Sequence, residues 1–364
     1  LAREGSDELV KTFSIAFEEE SFDESALARL TATKLGVEHQ SILLTESAML
    51  ASCEAAIAAQ DQPSIDGINT FHISKAVKQA GMTVALSGLG GDEVFCGYDH
   101  FRTLPRREHL IDWWGKTPRA LRRMATYLVP NGNDRKAKLR VLISGEYGFP
   151  HPYFLSRTLF LPNQIAGLLT PDAVTQIDYG DWGRRLRTII NRSLKLDPIN
   201  RLSYLELKNY IANTLLRDTD VMSMAHSLEV RVPLLDHVLV EQVLRIPGHN
   251  KVKNNAAKPL LVSSLPQALP REVVSGPKRG FVLPYEKWLK GGLFAQVQES
   301  LSDQPKALAG IISPTAVLDN WQAFLNGSTN WARPWAIFVL YESVRRILSS
   351  NKELAGAYRE PSIV

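Results

Sequence analysis

The sequence predicts an α/β fold in which a parallel sheet with flanking helices is followed by a mostly helical C-terminal region. Short segments rich in β-branched and aromatic residues recur in the first hundred residues, and helical segments of 12 to 16 residues separate them. Such lengths suit the crossover connections of a parallel sheet. From about residue 105 onward, long helical patterns replace the short apolar segments. These observations together define the predicted fold class.

Three segments have the composition and length of strands, and they are LVKTFSIAF (9–17), HQSILLT (39–45) and MTVALSG (82–88). A helix is predicted between the first two, with Asp23 as its N-cap and Gly36 just past its end. Residues 46–60 and 69–80 are also predicted as helices. Strands and helices therefore alternate, as they do in a parallel sheet with crossovers.

The change of pattern divides the chain into three predicted segments. Residues 1–104 form the α/β core, residues 105–195 a helical insertion of unassigned role, and residues 196–364 the helical remainder. Near the C-terminus, aromatic residues recur at helical spacing, which is more typical of a core than of a ligand cage. These residues are Trp331, Trp335, Phe338 and Tyr341.

The composition is that of a globular chain, with 45% hydrophobic residues, 22% charged residues and a net charge of +4. This charge gives no argument for nucleic acid or an anionic membrane as a partner. Residues 102–140 hold eleven Lys or Arg and three acids, which we interpret as a solvated helical face, with a nucleic-acid patch as the alternative. Two cysteines and the lack of an apolar run of ~20 residues favour a cytoplasmic protein.

The segment SGLGG (87–91) follows the third predicted strand directly and precedes two acids, Asp92 and Glu93. Open α/β folds bind ligands at the carboxyl ends of their strands, and glycines let backbone amides turn toward an anion. A carboxylate beside a phosphate is reasonable if Mg²⁺ lies between them. The loop lacks the Gly-Lys-Ser/Thr of a Walker motif and the last glycine of a dinucleotide fingerprint. A magnesium-bound phosphate is therefore the predicted ligand, and a plain glycine-rich turn is the alternative.

Several longer segments are distinctive sequence motifs. The most characteristic is VALSGLGGDEVFCGY (84–98), and LLRDTDVMSMAHSLEVRVPLLDH (215–237) is nearly as specific. The others are TFSIAFEEESFDES, LGVEHQ, DQPSIDGINTFHISKAVKQAG, AAKPLLVSSL and LPREVVSGPKRGFVLPYEKWL. In their order along the chain they resemble the synthetase domain of glutamine-dependent asparagine synthetases, a branch of the ATP pyrophosphatases. The resemblance covers most of the chain outside roughly 105–195, and it implies an adenine nucleotide α-hydrolase-like fold with residues 1–104 as part of its core.

This resemblance implies an ATP-dependent amide-forming synthetase that uses ATP and Mg²⁺. In that chemistry a substrate carboxylate attacks the α-phosphate of ATP to give an acyl adenylate and pyrophosphate, and ammonia then displaces AMP. By position, Asp92 would hold Mg²⁺ and Lys258 would neutralise pyrophosphate, and these are the implied catalytic residues. The backbone at Ile15 would meet adenine. The remaining implied nucleotide contacts are Ser87, Gly88, Gly90 and Gly91.

Two features depart from the family pattern. Leu89 stands where many members have an acid, so an acid-base role is not expected there. The S-G-G-x-D-S loop that should precede TFSIAF does not occur in the sequence. We expect this loop and the glutaminase domain upstream of Leu1, and a chain without the loop is expected to bind ATP poorly because it lacks several charge-assisted hydrogen bonds.

Other charged residues have two interpretations. Lys278 and Arg279 either face the triphosphate or belong to an exposed turn. The alternating charges in 215–237 are predicted to form ion pairs that fix helices around a cleft. These charges are Arg217, Asp218, Asp220, Glu229, Arg231 and Asp236.

The expected partner is a small carboxylate substrate, with aspartate first. The wording of DQPSIDGIN and SGLGGDE looks most like amidotransferases linked to bacterial exopolysaccharide and exosortase loci, so a ligase for another acid, including a β-lactam-forming one, is the alternative. A non-catalytic binding protein that uses the basic segment 102–140 is a third hypothesis. Membrane and nucleic acid are not expected as partners, and a homodimer is left open.

Overall fold

The structure is a computed structural model that describes residues 5, 9–19, 21–130, 134–145, 149, 151–177, 179–252, 258–265, 269–276 and 283–357. The chain divides into two compact units, and each is assembled from three stretches. Unit 1 contains Leu1–Thr45, Asn69–Thr158 and Asp178–Leu283, and unit 2 contains Glu46–Ile68, Leu159–Ile177 and Pro284–Val364. The division into consecutive segments that end at residues 104 and 195 stays a prediction.

Helices dominate both units. In chain order the α-helices are α1 (Ser25–Leu35), α2 (Glu46–Ala58), α3 (Ile68–Gln79), α4 (Gly91–Val94), α5 (His100–Gly115), α6 (Arg119–Thr126), α7 (Asp134–Ser144), α8 (Pro152–Arg157), α9 (Pro162–Leu168), α10 (Pro171–Thr175), α11 (Tyr179–Ser193), α12 (Pro198–Leu205), α13 (Leu216–Met224), α14 (His237–Arg245), α15 (Pro259–Ser263), α16 (Arg271–Ser275), α17 (Tyr285–Lys290), α18 (Phe294–Ser302), α19 (Pro314–Leu325) and α20 (Ala332–Ala357). A π-helix covers Glu206–Leu215, and 3-10 helices cover Pro233–Leu235, Gly248–Lys251 and Lys306–Leu308. Over the described residues, no helix combines the length and apolarity needed to cross a membrane.

The first sheet has the predicted strands and the predicted crossover. Strands β1 (Lys11–Phe17) and β2 (Glu38–Leu44) pair in parallel, with Ile15 opposite Ile42. Both strands lie within a residue or two of their predicted bounds, and α1 connects them. The prediction of an α/β fold with parallel strands and a helical C-terminal region is therefore confirmed.

Helix α1 ends where the sequence predicted and begins slightly differently. Gly36 has φ 63°, in the left-handed region that favours glycine, and its N–H bonds back to the carbonyl of Ala32. The N-cap position is held by Glu24 and not by Asp23. Asp23 instead accepts the N–H of Ser25 at 3.1 Å, so it orders the entry to the helix from one residue further upstream.

The third predicted strand has a partner that the sequence analysis missed. Strand β3 (Val84–Leu86) is shorter than the predicted 82–88, and in the described structure it pairs in parallel with β4 (Glu229–Arg231) in a sheet separate from β1 and β2. The prediction of one sheet for all three strands was therefore wrong for the described residues. Strand β4 was missed because three residues with charged ends and one central valine carry no recognisable alternation.

Two apolar clusters of unit 1 hold the segment that follows the glycine loop. Val94, Phe95 and Val243 are buried in one cluster, and its partly buried members include Leu234, Leu235, Leu239 and Val240. The other cluster contains Cys96, Phe101, Tyr153, Phe154, Leu186, Ile190, Leu202 and Leu205. Consecutive residues after α4 thus enter two close-packed clusters, which fixes the C-terminal end of the loop.

Aromatic side chains fill the core of unit 2. Trp288 and Trp321 are at most 1% exposed, and Trp331 stacks on Tyr285 with ring centroids 4.5 Å apart. Three of the residues predicted from their spacing to be core are fully buried, which confirms that interpretation for them: Trp335, Phe338 and Tyr341.

Truncating a core tryptophan should therefore destabilise the protein strongly. We expect Trp335→Ala to lower the free energy of unfolding by about 3–5 kcal/mol, because it leaves a large cavity in a close-packed core. The matched control is Trp113→Ala in α5, where the side chain is 65% exposed, and its effect should stay within about 0.5 kcal/mol. Urea denaturation followed by circular dichroism measures both, and similar effects of the two variants would contradict the assignment of Trp335 to the core.

Candidate functional site

The loop between β3 and α4 is packed on one side and open on the other. Gly90 is the N-cap of α4 and has φ 91°, in the left-handed region. A Cβ at this position would lie 2.4 Å from Cδ2 of Leu235, in the segment that follows β4. Both the backbone conformation and this close approach require glycine. Gly88, in contrast, is exposed, and a Cβ there would meet no atom within 4 Å.

Three backbone N–H groups of the loop already donate hydrogen bonds within the protein. The N–H of Ser87 donates to the carbonyl of Arg231 at 2.8 Å, and the N–H of Leu89 donates to the Ser87 hydroxyl at 3.3 Å. The N–H of Gly91 donates to the carbonyl of Gly88 at 3.2 Å. In the part of the chain that the structure describes, the loop amides with no hydrogen-bond partner are those of Gly88 and Gly90. An anion would therefore find two amides here, and Ser87 would act through its hydroxyl.

Asp92 is held in a space that only a glycine leaves open. Its Oδ1 lies 3.1 Å from Nζ of Lys258. A Cβ at Gly97 would lie 1.8 Å from the same oxygen, and the N–H of Gly97 donates to the Asp92 carbonyl at 2.8 Å. The Asp92 carboxylate thus occupies the volume that any side chain at position 97 would take.

Lys258 reaches the loop from the N-cap of α15. Its φ of 50° and ψ of 50° lie in the left-handed region, directly before Pro259. For a residue with a Cβ this conformation costs on the order of 1–2 kcal/mol, and such strain is often found at functional sites. The side chains of Lys258 and Asp92 are 32% and 27% exposed, so the pair is accessible to a ligand. The structure therefore brings together the two residues that were predicted to be catalytic.

Ile15, the predicted contact to adenine, lies in a different sheet from the one that leads into the loop. Ile15 is buried in β1 opposite Ile42, so it belongs to the first sheet, whereas the loop follows the second. Its backbone contact with adenine stays a prediction. Lys278 and Arg279 lie outside the described residues.

The charged residues of segment 215–237 make local contacts. Two ion pairs join near neighbours in sequence: Arg217 with Asp218 at 2.8 Å, and Glu229 with Arg231 at 2.7 Å. Asp236 is instead the N-cap of α14, where its carboxylate accepts two backbone N–H groups of the first turn. Ion pairs are therefore present among these residues as predicted, but their role in fixing helices around a cleft stays a prediction. Asp236 acts as a cap because a helix begins directly after it.

The acid next to Asp92 is a site residue that the sequence analysis left unassigned. Glu93 is 2% exposed, and the hydroxyl of Tyr98 donates to its Oε1 at 2.5 Å. Burial raises the pKa of Glu93, although the hydrogen bond from Tyr98 lowers it in part. The left-handed backbone of Cys96, with φ 60°, reverses the chain between the two residues. No helical or strand spacing pairs residues five apart, so no pattern in the sequence signals this contact.

The fully buried carboxylate of Glu206 contacts three further side chains. Glu206 begins the π-helix, and its carboxylate lies 2.6 Å from Arg157 Nη2, 3.0 Å from the Tyr153 hydroxyl and 2.9 Å from His100 Nε2. The Arg157 guanidinium also lies over the Tyr98 ring, 4.9 Å from its centroid. Burial opposes the charge of Arg157, but the Glu206 carboxylate raises its pKa. Polar contacts thus run from the loop to a π-helix, an element that is frequent at functional sites.

Closing the space beside Asp92 should damage the site. We expect Gly97→Ala to lower the free energy of unfolding by about 1–3 kcal/mol, because the new methyl group and the Asp92 carboxylate cannot share one volume. Gly88→Ala is the matched control, and its effect on stability should be within about 0.5 kcal/mol since its Cβ points to open space. Thermal and urea denaturation report both effects. Equal stability of the two variants would show that the Asp92 side chain does not occupy the position described.

Glu93 should make the stability of the protein depend on pH. Because burial raises its folded-state pKa above the ordinary value of 4.5, the folded protein keeps this proton longer than the unfolded chain. Its ionisation therefore costs stability as the pH rises above 4.5, and the penalty vanishes below that value. We expect the stability of Glu93→Gln relative to the native protein to increase from about pH 4 to about pH 8.

Urea denaturation of Glu93→Gln and of the native protein over this pH range measures the difference between their free energies of unfolding. The matched control is Glu299→Gln, at an exposed position of α18, whose difference from the native protein should not follow the same course. A relative stability of Glu93→Gln that is constant, or that falls with pH, would contradict a buried carboxyl at this position.

The sequence is similar to those of several known proteins. Residues 1–344 match the family model described as asparagine synthase. A glutamine-hydrolysing asparagine synthetase of Bacillus subtilis, numbered 1 in that organism, is 30% identical over 304 residues, which cover 81% of this chain and 46% of that protein. A putative glutamine-hydrolysing asparagine synthetase of Mycobacterium bovis is 26% identical over 92% of this chain and 50% of its own length.

More distant similarity reaches proteins with another name. Amidase chry2 of Gibberella zeae is 24% identical over 87% of this chain and 50% of that protein. The chain spans about half the length of the curated relatives it matches. The family match nevertheless extends over nearly the whole sequence. The chain therefore belongs to the asparagine synthase family.

Proposed function

We propose that this chain carries the ATP-dependent amide-forming part of a glutamine-dependent asparagine synthetase-like ligase. In the proposed reaction a substrate carboxylate oxygen attacks the α-phosphorus of ATP, and pyrophosphate leaves. Ammonia then attacks the acyl carbon, loses a proton, and AMP leaves to give the amide. The observation that carries the proposal is the 3.1 Å contact between Asp92 and Lys258 beside the 87–91 loop, in a chain of this family.

Lys258 is assigned to balance the charge of the leaving pyrophosphate. Its ammonium group lies at the edge of the loop, and the flexible stem of a lysine lets the charge move from a carboxylate to a phosphate. The amides of Gly88 and Gly90 would add two uncharged donors on the same loop. These groups would stabilise negative charge as it develops on the leaving group.

Asp92 is assigned to hold Mg²⁺. A single carboxylate suits this ion, because Mg²⁺ is usually bound through one or two carboxylates together with the phosphates of the substrate. Among the described residues, no group of three or more His, Cys, Asp or Glu would hold a metal without such a substrate. When bound, Mg²⁺ would screen the charge of the phosphates. Because Asp92 also touches Lys258, both cations would be directed to the same region.

Leu89 favours a second candidate, in which the substrate is a carboxylate other than aspartate. The side chain is half-buried between Gly88 and Gly90. An apolar group at this position offers neither a charge nor a hydrogen bond to the amino group of aspartate, and it supplies no acid or base to ammonia. The reaction class is the same for both candidates, and the acid that is activated differs.

The source of ammonia and the cellular location are part of the same proposal. Ammonia would come from a glutaminase domain, as the names of the glutamine-hydrolysing relatives suggest. A cytoplasmic location is proposed because Cys53 and Cys96 are both buried and free, which suits a reducing compartment. A homodimer is left open.

The reaction is tested by pyrophosphate release from the full-length gene product with ATP, Mg²⁺ and ammonium chloride. Aspartate and a panel of other small carboxylic acids are offered in parallel, and amide and AMP should appear in equal amounts with pyrophosphate. Turnover of aspartate supports the first candidate, and turnover of a different acid alone supports the second. Absence of pyrophosphate release with every acid would contradict the proposed function.

Removing either charge of the pair should abolish most of this activity. We expect Lys258→Ala and Asp92→Asn each to lower kcat/KM by about 100-fold or more, because each removes stabilisation of charge on the leaving group. The matched control is Lys290→Ala, since Lys290 is also partly exposed and also pairs with an acid, Glu286, at 3.0 Å. Thermal unfolding checks that all three variants are folded. Near-native activity of Lys258→Ala would overturn the assignment of that residue.

A further inference from the structure

Helix α6 and the turn that follows it expose large apolar side chains. Leu121 is 55% exposed, Met124 65%, Tyr127 87% and Leu128 85%. Trp113, near the end of α5, is 65% exposed. Leu121, Met124 and Leu128 are three and four residues apart, so they share one face of the helix and its C-terminal turn. We call Leu121, Met124, Tyr127 and Leu128 the α6 surface.

The less exposed side of α6 carries Arg122, Ala125 and Thr126 and no large apolar side chain. Arg122 approaches α7 so closely that a Cβ at Gly145 would lie 2.2 Å from its Nη1. Arg140 of α7 donates to the carbonyl of Val129 at 2.9 and 2.6 Å. No residue of α6 is buried. The large apolar side chains of this helix are therefore exposed, whereas an ordinary surface helix turns its apolar face to the core.

Basic residues are frequent in the sequence on both sides of the α6 surface. Residues 113–140 contain eight Lys or Arg and a single acid, Asp134. Arg140 and Arg122 are used inside the protein, as described above, but several others are exposed: Lys116, Arg119, Arg123 and Arg135. The net charge of +4 is a sum over the whole chain, in which acids of other segments offset these basic residues. It is therefore compatible with a strongly positive local surface.

We propose that the α6 surface binds to an anionic phospholipid bilayer and lies in its interface. Leucine and methionine would enter the boundary of the acyl chains, and Trp113 and Tyr127 would lie at headgroup level, where their apolar bodies and polar tips are both satisfied. Arginine and lysine stems would extend along the apolar surface to the phosphates. The proposal rests on the α6 surface alone and is independent of the proposed catalytic function.

Charge complementarity favours this occupant over a second copy of the chain. Two α6 surfaces facing each other would bring two sets of basic residues together with almost no acids between them, and like charges across an interface are strongly unfavourable. An anionic bilayer instead offers negative charge over the whole area next to an apolar layer. The mixture of exposed aromatic, aliphatic and basic side chains is also typical of helices that lie in a membrane interface.

The test is flotation of the 364-residue chain with vesicles. One set contains phosphatidylglycerol and phosphatidylcholine in equal amounts, and the other contains phosphatidylcholine alone. We expect the chain to float with the anionic vesicles and not with the neutral ones, and added sodium chloride should weaken binding because it screens the charges. The double variants Leu121→Glu/Met124→Glu and Arg119→Glu/Arg123→Glu should each weaken binding by about tenfold or more.

Matched control variants change the same residue types elsewhere in unit 1. Leu30→Glu/Leu35→Glu alters two leucines of α1 that are 43% and 38% exposed, and Arg187→Glu/Arg192→Glu alters two exposed arginines of α11. Both controls should bind anionic vesicles like the native chain. Circular dichroism and thermal unfolding check that all variants are folded. Quenching of tryptophan fluorescence by brominated lipid should decrease in Trp113→Phe if that side chain enters the interface.

Several results would overturn the proposal. These are failure of the native chain to float with anionic vesicles, equal binding to both vesicle types, and unchanged binding of the two α6 variants. Self-association in light scattering that Leu121→Glu/Met124→Glu abolishes, without any vesicle binding by the native chain, would identify a second copy as the occupant instead.

Discussion

The contact between Asp92 and Lys258 depends on space that two glycines leave free. Gly97 leaves room for the Asp92 carboxylate, and Gly90 lets Leu235 pack against the loop. The loop, the segment after β4 and the start of α15 come from distant parts of the sequence, so this packing is what joins them into one site. The strained backbone of Lys258 is consistent with that view, because surrounding contacts must hold such a conformation.

A buried polar network supports the loop from behind. Glu93 accepts a hydrogen bond from Tyr98, Arg157 covers the Tyr98 ring, and the same arginine pairs with Glu206. Buried charges carry a large desolvation cost, and removing one partner leaves the other uncompensated. The network therefore restricts the arrangements that α4 can adopt, and it links the position of Asp92 to the start of a π-helix. Its members lie in adjacent elements of unit 1, so they share one environment.

Local surface composition differs sharply from the composition of the whole chain. Overall, charged and hydrophobic residues are present in ordinary proportions, and the net charge is small. Around α6, however, exposed apolar side chains are concentrated, and residues 113–140 hold eight Lys or Arg and a single acid, Asp134. The same basic segment was interpreted from the sequence as a solvated face. Its exposed leucine and methionine side chains are what distinguish it from such a face, and only the structure shows their exposure.

Local patterns in the sequence were sufficient to predict the α/β class, the end of α1 at Gly36, the buried aromatic residues near the C-terminus and the family. These features could be predicted because glycine positions, helical periodicity and sequence motifs are properties of short segments. They also pointed to Asp92 and Lys258 as candidates, through the resemblance. Contacts between distant residues settled the rest: the pairing of β3 with β4, the burial of Glu93, the loop amides that remain open and the outward face of α6. No short pattern encodes these features, since each depends on which remote segment packs alongside.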